Sequence, residues 1–158
     1  MTSKLESRLL SSLEKIFWDE ELTAREYPRA SALRGEIFSF QVALRWEGWE
    51  RLLLKARAES PLGASLEVRE VGQVPVFRPV AQTYDENYLR TSPGVFPDPL
   101  YPHRGEWSLA PGQWRCLWVT VEVPVDTPAG DYPIAVRIFR SDRPDEQLAE
   151  AVFHLEVI

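Results

Sequence analysis

A chain of 158 residues with 18 Lys and Arg against 24 Asp and Glu carries a formal charge of -6 and a pI near 5.0, which argues against a phosphate-backbone partner, since such binding rests on clustered cations. One domain, residues 1–158, accounts for this length and can bury roughly 70% of the surface its unfolded form exposes. Cys116 is the only cysteine, so an internal disulfide is excluded.

No run reaches the roughly 20 apolar residues of a membrane helix, and the charged start, Met1 to Arg8, departs from a signal peptide. No membrane partner is expected, and the expected location is cytoplasmic, with export in the natural context left open. Thirteen prolines and an aromatic content of 11%, six of them Trp, fit a turn-rich β protein.

In chain order, Leu5, Leu9, Leu10, Leu13, Ile16 and Phe17 recur at helical steps, yet the segment is short and Ser11-Ser12 interrupts it, so helix and strand stay open. The stretch from Leu22 to Leu33, broken by Pro28, can form at most an edge strand. Phe38, Phe40, Val42, Leu44 and Trp46 then alternate with Ile37, Ser39, Gln41, Ala43 and Arg45, the pattern of a half-buried strand. Leu52, Leu54, Ala56 and Ala58 follow the same rule, and Leu66 and Val68 continue it after the Ser60–Gly63 turn as a hairpin-like return.

Residues 81–113 show no alternation, several aromatics and many prolines, and read as one long loop, a feature that compact domains usually reserve for function. Leu117, Val119, Val121 and Val123 give a wholly aliphatic strand face. Past the Pro124–Asp131 breaker, Tyr132, Ile134, Val136 and Ile138 give another, and the two runs read as an antiparallel pair. Ala149, Ala151, Phe153, Leu155 and Val157 make the last strand. The expectation is an all-β, antiparallel two-sheet β-sandwich with Ig-like or jelly-roll wiring and no parallel pairing. Each large core side chain should contribute about 1.5–3 kcal/mol before entropy is counted. Trp114, Cys116 and Trp118 lie opposite the aliphatic face, so the strongest strand is apolar on both sides, and either a loop of the same chain or another domain must cover it.

Chemistry is sparse. His103 and His154, the only histidines, lack metal-ligand spacing, and neither a nucleophile elbow nor a phosphate-cradling glycine loop is present. No cofactor and no metal are implied. Asp85 and Glu86 are adjacent on a loop and would point to opposite faces, unlike a glycosidase pair set either side of a bond. Tyr84, Tyr88, Phe96, Tyr101 and Trp107 could present rings to a sugar, with Asp98 or Asn87 meeting its hydroxyls, or could serve as the loop's own small core.

Four blocks taken together, Ser12-Leu13-Glu14-Lys15-Ile16-Phe17, Leu33-Arg34-Gly35-Glu36-Ile37-Phe38-Ser39-Phe40-Gln41, Phe96-Pro97-Asp98-Pro99-Leu100-Tyr101-Pro102 and Trp118 to Tyr132, resemble the N-terminal domain of glycoside hydrolase family 123 from about Ser11 to Ile158. The resemblance implies a β-sandwich that accompanies a (β/α)8 barrel cleaving N-acetyl-β-galactosaminide linkages, with the family's Asp-Glu pair in the barrel, so no catalytic residue carries over to this chain. It also tips the opening segment toward strand. The function expected is a non-catalytic accessory domain whose partner is the barrel. The alternatives are a free-standing carbohydrate-binding module that uses loop aromatics and an Ig-like interaction domain. Tyr84, Tyr88, Asp98, Leu100, Tyr101, Trp107, Trp114 and Trp118 are the candidate docking or glycan contacts. Trp114, Trp118 and the Asp98–Tyr101 loop are expected to face the second domain or to fold over the sheet.

Overall fold

A computed structural model describes residues 4–62, 65–80 and 87–158. Ten strands form two five-stranded sheets, and no α-helix occurs among the described residues. The first sheet has the order β1 (Leu5–Ser11), β3 (Ile37–Trp46), β8 (Trp114–Glu122), β5 (Ser65–Val76), β6 (Gly94–Pro102). The second runs β2 (Arg29–Ala32), β10 (Gln147–Val157), β9 (Gly130–Arg140), β4 (Leu52–Glu59), β7 (Trp107–Leu109). The two-layer sandwich expected from the alternating runs is therefore what forms.

The aliphatic stripes dictate this packing. Phe40, Val42 and Leu44 of β3 and Leu117, Val119 and Val121 of β8 point inward and are fully buried. They meet Ile134, Val136 and Ile138 of β9 and Phe153 and Leu155 of β10 in one core. Phe153 stacks on Phe40 across the sandwich, with ring centroids 4.3 Å apart and planes 11° from parallel. Phe38 and Tyr27 lean on the same ring at 5.6 and 5.9 Å.

Four sequence expectations change. The Leu117–Val123 and Tyr132–Ile138 runs do not pair: β8 bonds to β3 and β5, whereas β9 bonds to β10 and β4. Both faces seek the same core from opposite sides, so the Pro124–Gly130 segment is an arch between sheets, where a tight hairpin would have put both strands in one sheet. The hairpin-like return between β4 and β5 fails for the same reason. One pair is parallel, β2 with β10, with Ala30 opposite Leu155, because the chain reaches β2 by a long excursion and arrives from the far end. The supposed loop 81–113 holds β6 and β7. Pro97, Pro99 and Pro102 hid β6, but an edge strand tolerates lost N–H donors on its open side.

The opening segment is a strand. Leu5 and Leu9 face the core and Leu10 faces out, and this two-sided burial produced the helix-like spacing. Phe153→Ala is expected to cost about 3–5 kcal/mol, because it removes the ring that both sheets share. The measurement is a fall in the urea midpoint with unchanged slope.

Candidate functional site

The outer face of the first sheet carries a second, smaller apolar cluster: Leu10 of β1, Ala43 of β3, Trp114 and Cys116 of β8 and Val71 of β5. Ile16 and Leu22 cap it from the segment joining β1 to β2, so the cover for the two-sided strand is supplied by the chain itself. This strap is pinned at several points. Gln41, 3% exposed, donates both amide hydrogens to main-chain carbonyls of the strap, Ser11 O at 2.9 Å and Glu14 O at 2.8 Å. The Trp114 N–H donates to Trp18 O and the Tyr27 N–H to Leu9 O. Phe17 meets the edge of Phe96 at 5.3 Å, and Arg90 forms a two-pronged ion pair with Asp19 at 2.9 Å while lying over both rings. Hydrogen bonding to Arg90 holds the Asp19 carboxyl below its ordinary range.

Where the strap passes the β5–β6 edge it leaves a cleft of two chambers that share Lys15, Pro97 and Asp98. The outer chamber, about 380 Å³, is walled by Phe17, Phe96, Val74, Val76, Tyr88 and Leu89. The inner chamber, about 160 Å³, has Trp118, Leu100, Gln41 and Gln73 around it. Lys15 Nζ bonds Pro97 O at 3.3 Å and Asp98 Oδ1 at 3.4 Å, so this ion pair stands between the chambers. Among the described residues, Gln73 Oε1 is a buried acceptor with no donor, and its side chain lines the inner chamber. Such an orphan costs about 1–3 kcal/mol.

Of the residues singled out from sequence, Tyr88, Asp98, Leu100 and Trp118 converge on this cleft. Phe96, Asp98 and Leu100 alternate toward the strap, which leaves Tyr101 on the other face of β6, opposite Glu70 and packed over Gly72. A Cβ on Gly72 would meet the Tyr101 ring and Pro99 Cγ, so a larger residue here would require the exposed Tyr101 ring to move. Trp114 lies sealed under the strap, not facing outward. Trp107 is a core residue of β7, buried beneath the Arg115 guanidinium and closed to any ligand. Tyr84, Asp85 and Glu86 lie outside the described residues. Lys15, Gln41 and Gln73 were missed. Gln41 alone carried a signal, as a polar residue among apolar neighbours in a strand.

One further polar group has the look of a catalytic dyad. His103 Nδ1 lies 2.8 Å from Glu70 Oε1, and both side chains are largely buried. The Ala56 N–H donates to His103 Nε2 at 3.0 Å, which fixes Nδ1 as the protonated nitrogen and leaves no ring atom for a substrate. The pair ties the end of β6 to β4 of the other sheet. Among the described residues, no three His, Cys, Asp or Glu side chains come together as a metal site.

With this geometry in view, comparison with solved structures is informative about fold. A family 123 glycoside hydrolase from Clostridium perfringens, studied for glycolipid glycan hydrolysis, superposes with a TM-score of 0.70 at 10% identity. The match covers 98% of this chain and 27% of that one, so the chain spans about a quarter of the hydrolase's length. The N-terminal domain of PorA matches at a TM-score of 0.45 with 9% identity, over 96% of this chain and 97% of that one. A PapD-like domain of human CEP192 matches at 0.41 with 15% identity, over 98% and 83%. Scores that low carry no further weight. No protein-family model and no curated protein matches the sequence. The chain has the fold of a segment of the Clostridium enzyme.

Gln41→Ala is expected to cost about 1–3 kcal/mol, since two strap carbonyls lose their donor. Hydrogen exchange should then quicken in residues 12–17 before it does in β9. Cys116 gives a second prediction. Burial pushes its thiol from 9.0 up to about 12, so the folded state favours the protonated form. The associated stability is complete below pH 9.0 and declines as pH climbs toward 12, and Cys116→Ala should flatten that decline in denaturant titrations. A disulfide reagent should label the native thiol only as fast as the protein opens.

Proposed function

We propose that this chain is a non-catalytic accessory β-sandwich of a glycoside hydrolase, packed against or supporting a (β/α)8 catalytic barrel that acts on N-acetyl-β-galactosaminides. The observation that carries this reading is the superposition of nearly the whole chain on about a quarter of a family 123 hydrolase. The sequence blocks that resemble the N-terminal domain of that family support it independently. The internal polar groups agree, because the Glu70–His103 pair is consumed in joining the sheets.

A surface for the barrel is at hand at one end of the sandwich. Leu33, Ile37 and Val125 are 62%, 66% and 78% exposed. The Val125 side chain lies against Gly35, in the turn that joins Leu33 to Ile37. The Ile158 N–H donates to Ala32 O at 3.0 Å, which brings the last strand to the same end. Apolar side chains clustered in this way are more than the scattered exposure of an ordinary surface.

The test is to read the gene past the codon for Ile158 and to express the whole reading frame. A continuation that encodes a barrel and cleaves an aryl N-acetyl-β-galactosaminide, with the 158-residue chain inert in the same assay, is the expected result. Turnover by the sandwich alone, or a complete reading frame without a barrel, overturns the proposal.

A further inference from the structure

The strap, residues 12–28, covers the outer face of the first sheet without joining it. It forms no strand, so it is held by a few side chains and isolated hydrogen bonds, whereas each core strand is held by a ladder. Ile16 and Leu22 are its buried contribution to the cluster around Trp114 and Cys116. Segments with little buried apolar surface and few main-chain bonds lie at the low end of a protein's range of local stability. That cluster and the main core lie on opposite faces of β3 and β8, so uncovering the one leaves the other packed. Strap and sandwich are thus separable units.

Both ends of the strap are anchored to the sheet, by Gln41 at the Ser11–Glu14 turn and by the Tyr27 N–H bond to Leu9 O. Between them the holding falls largely to Arg90, which comes from a distant part of the chain and bridges the strap to β6. On the strap side its two Nη atoms meet the Asp19 carboxylate at 2.9 Å, Nη1 lies 3.6 Å from Glu20 Oε1, and the guanidinium stands over Phe17 at 5.1 Å. On the β6 side it stands over Phe96 at 5.7 Å, donates from Nε to Ser92 Oγ at 3.4 Å and lies against Gly94. The Arg90 side chain is only 12% exposed, so these contacts are sheltered from solvent, and a two-pronged guanidinium–carboxylate pair is among the stronger polar links. One side chain therefore gathers strap and sheet edge together.

We infer that the strap opens as a unit from an intact sandwich, that Arg90 is the clasp that keeps it shut, and that its release uncovers the apolar face around Trp114 and Cys116. Cys116, the single cysteine, lies beneath the strap and reports the opening. The test is the rate at which a disulfide reagent labels the 158-residue chain at one fixed pH across a series of urea concentrations, beside the unfolding curve of the sandwich. At low urea the rate should be nearly independent of denaturant, because a local opening exposes little surface, and it should climb only as the main transition is approached. Arg90→Ala and Asp19→Asn should each speed low-urea labelling roughly tenfold, with a shift of the urea midpoint too small to account for it. Arg137→Ala, which removes the pairs to Glu59 and Glu150 on the second sheet, should leave labelling unchanged. Labelling that follows global unfolding at every urea concentration overturns the inference, as does a rate that neither clasp variant alters or that Arg137→Ala raises equally. A clasp variant that fails to fold, or whose midpoint falls enough to explain its faster labelling, also overturns it, since the strap then belongs to the cooperative core. None of these outcomes bears on whether a barrel follows the sandwich, so the two proposals fail separately.

Discussion

A strand that is apolar on both faces cannot lie on the surface of a sandwich, and β8 is such a strand. Its inner side chains, Leu117, Val119 and Val121, are satisfied by the second sheet. Its outer ones, Trp114 and Cys116, need a second cover, and the strap between β1 and β2 provides it with Ile16 and Leu22. The strap in turn needs its main-chain carbonyls satisfied, which is the work of Gln41 on the neighbouring strand. The cleft exists because this added layer stops short of the sheet edge, leaving Trp118 and Leu100 only partly covered. Fold and site therefore descend from one requirement, that the central strand be dry on both sides.

The alternating runs were legible because period-two burial leaves a strong mark: Phe40 to Leu44, Leu117 to Val121 and Ile134 to Ile138 each lie in the strand their pattern announced. Partner choice was not. Nothing local distinguishes a Pro-Gly hairpin from a Pro-Gly arch, since the difference lies in whether two aliphatic faces pack side by side or face to face. Edge strands were harder still. β6 is open on one side, so it carries three prolines without breaking a ladder, and its sequence resembles a loop. β7 is only three residues long, yet it buries Trp107 and Leu109, and short length rather than polarity concealed it.

The cleft was half legible. Loop aromatics, the Asp98–Tyr101 block and the strand apolar on both faces drew attention to Tyr88, Asp98, Leu100 and Trp118, and these meet. The same reasoning also chose Trp107, because composition reports that a ring is present and says nothing about which way it faces. Gln73 and Lys15 escaped notice, since an isolated glutamine or lysine is ordinary on any surface, and their meaning comes from a register that only pairing across β5, β6 and the strap creates.

Several of the remaining buried polar groups serve the scaffold. Glu70 and His103 satisfy one another and the Ala56 amide, and so join the sheets. Ser39 and Thr120 bond across β3 and β8, and Gln41 holds the strap. Five buried side-chain atoms stay without a partner among the described residues, Trp18 Nε1, Arg45 Nε, Gln73 Oε1, Arg115 Nε and Thr127 Oγ1, and they are spread over the strap, β3, β5, β8 and the arch between the sheets, so they do not mark out one site.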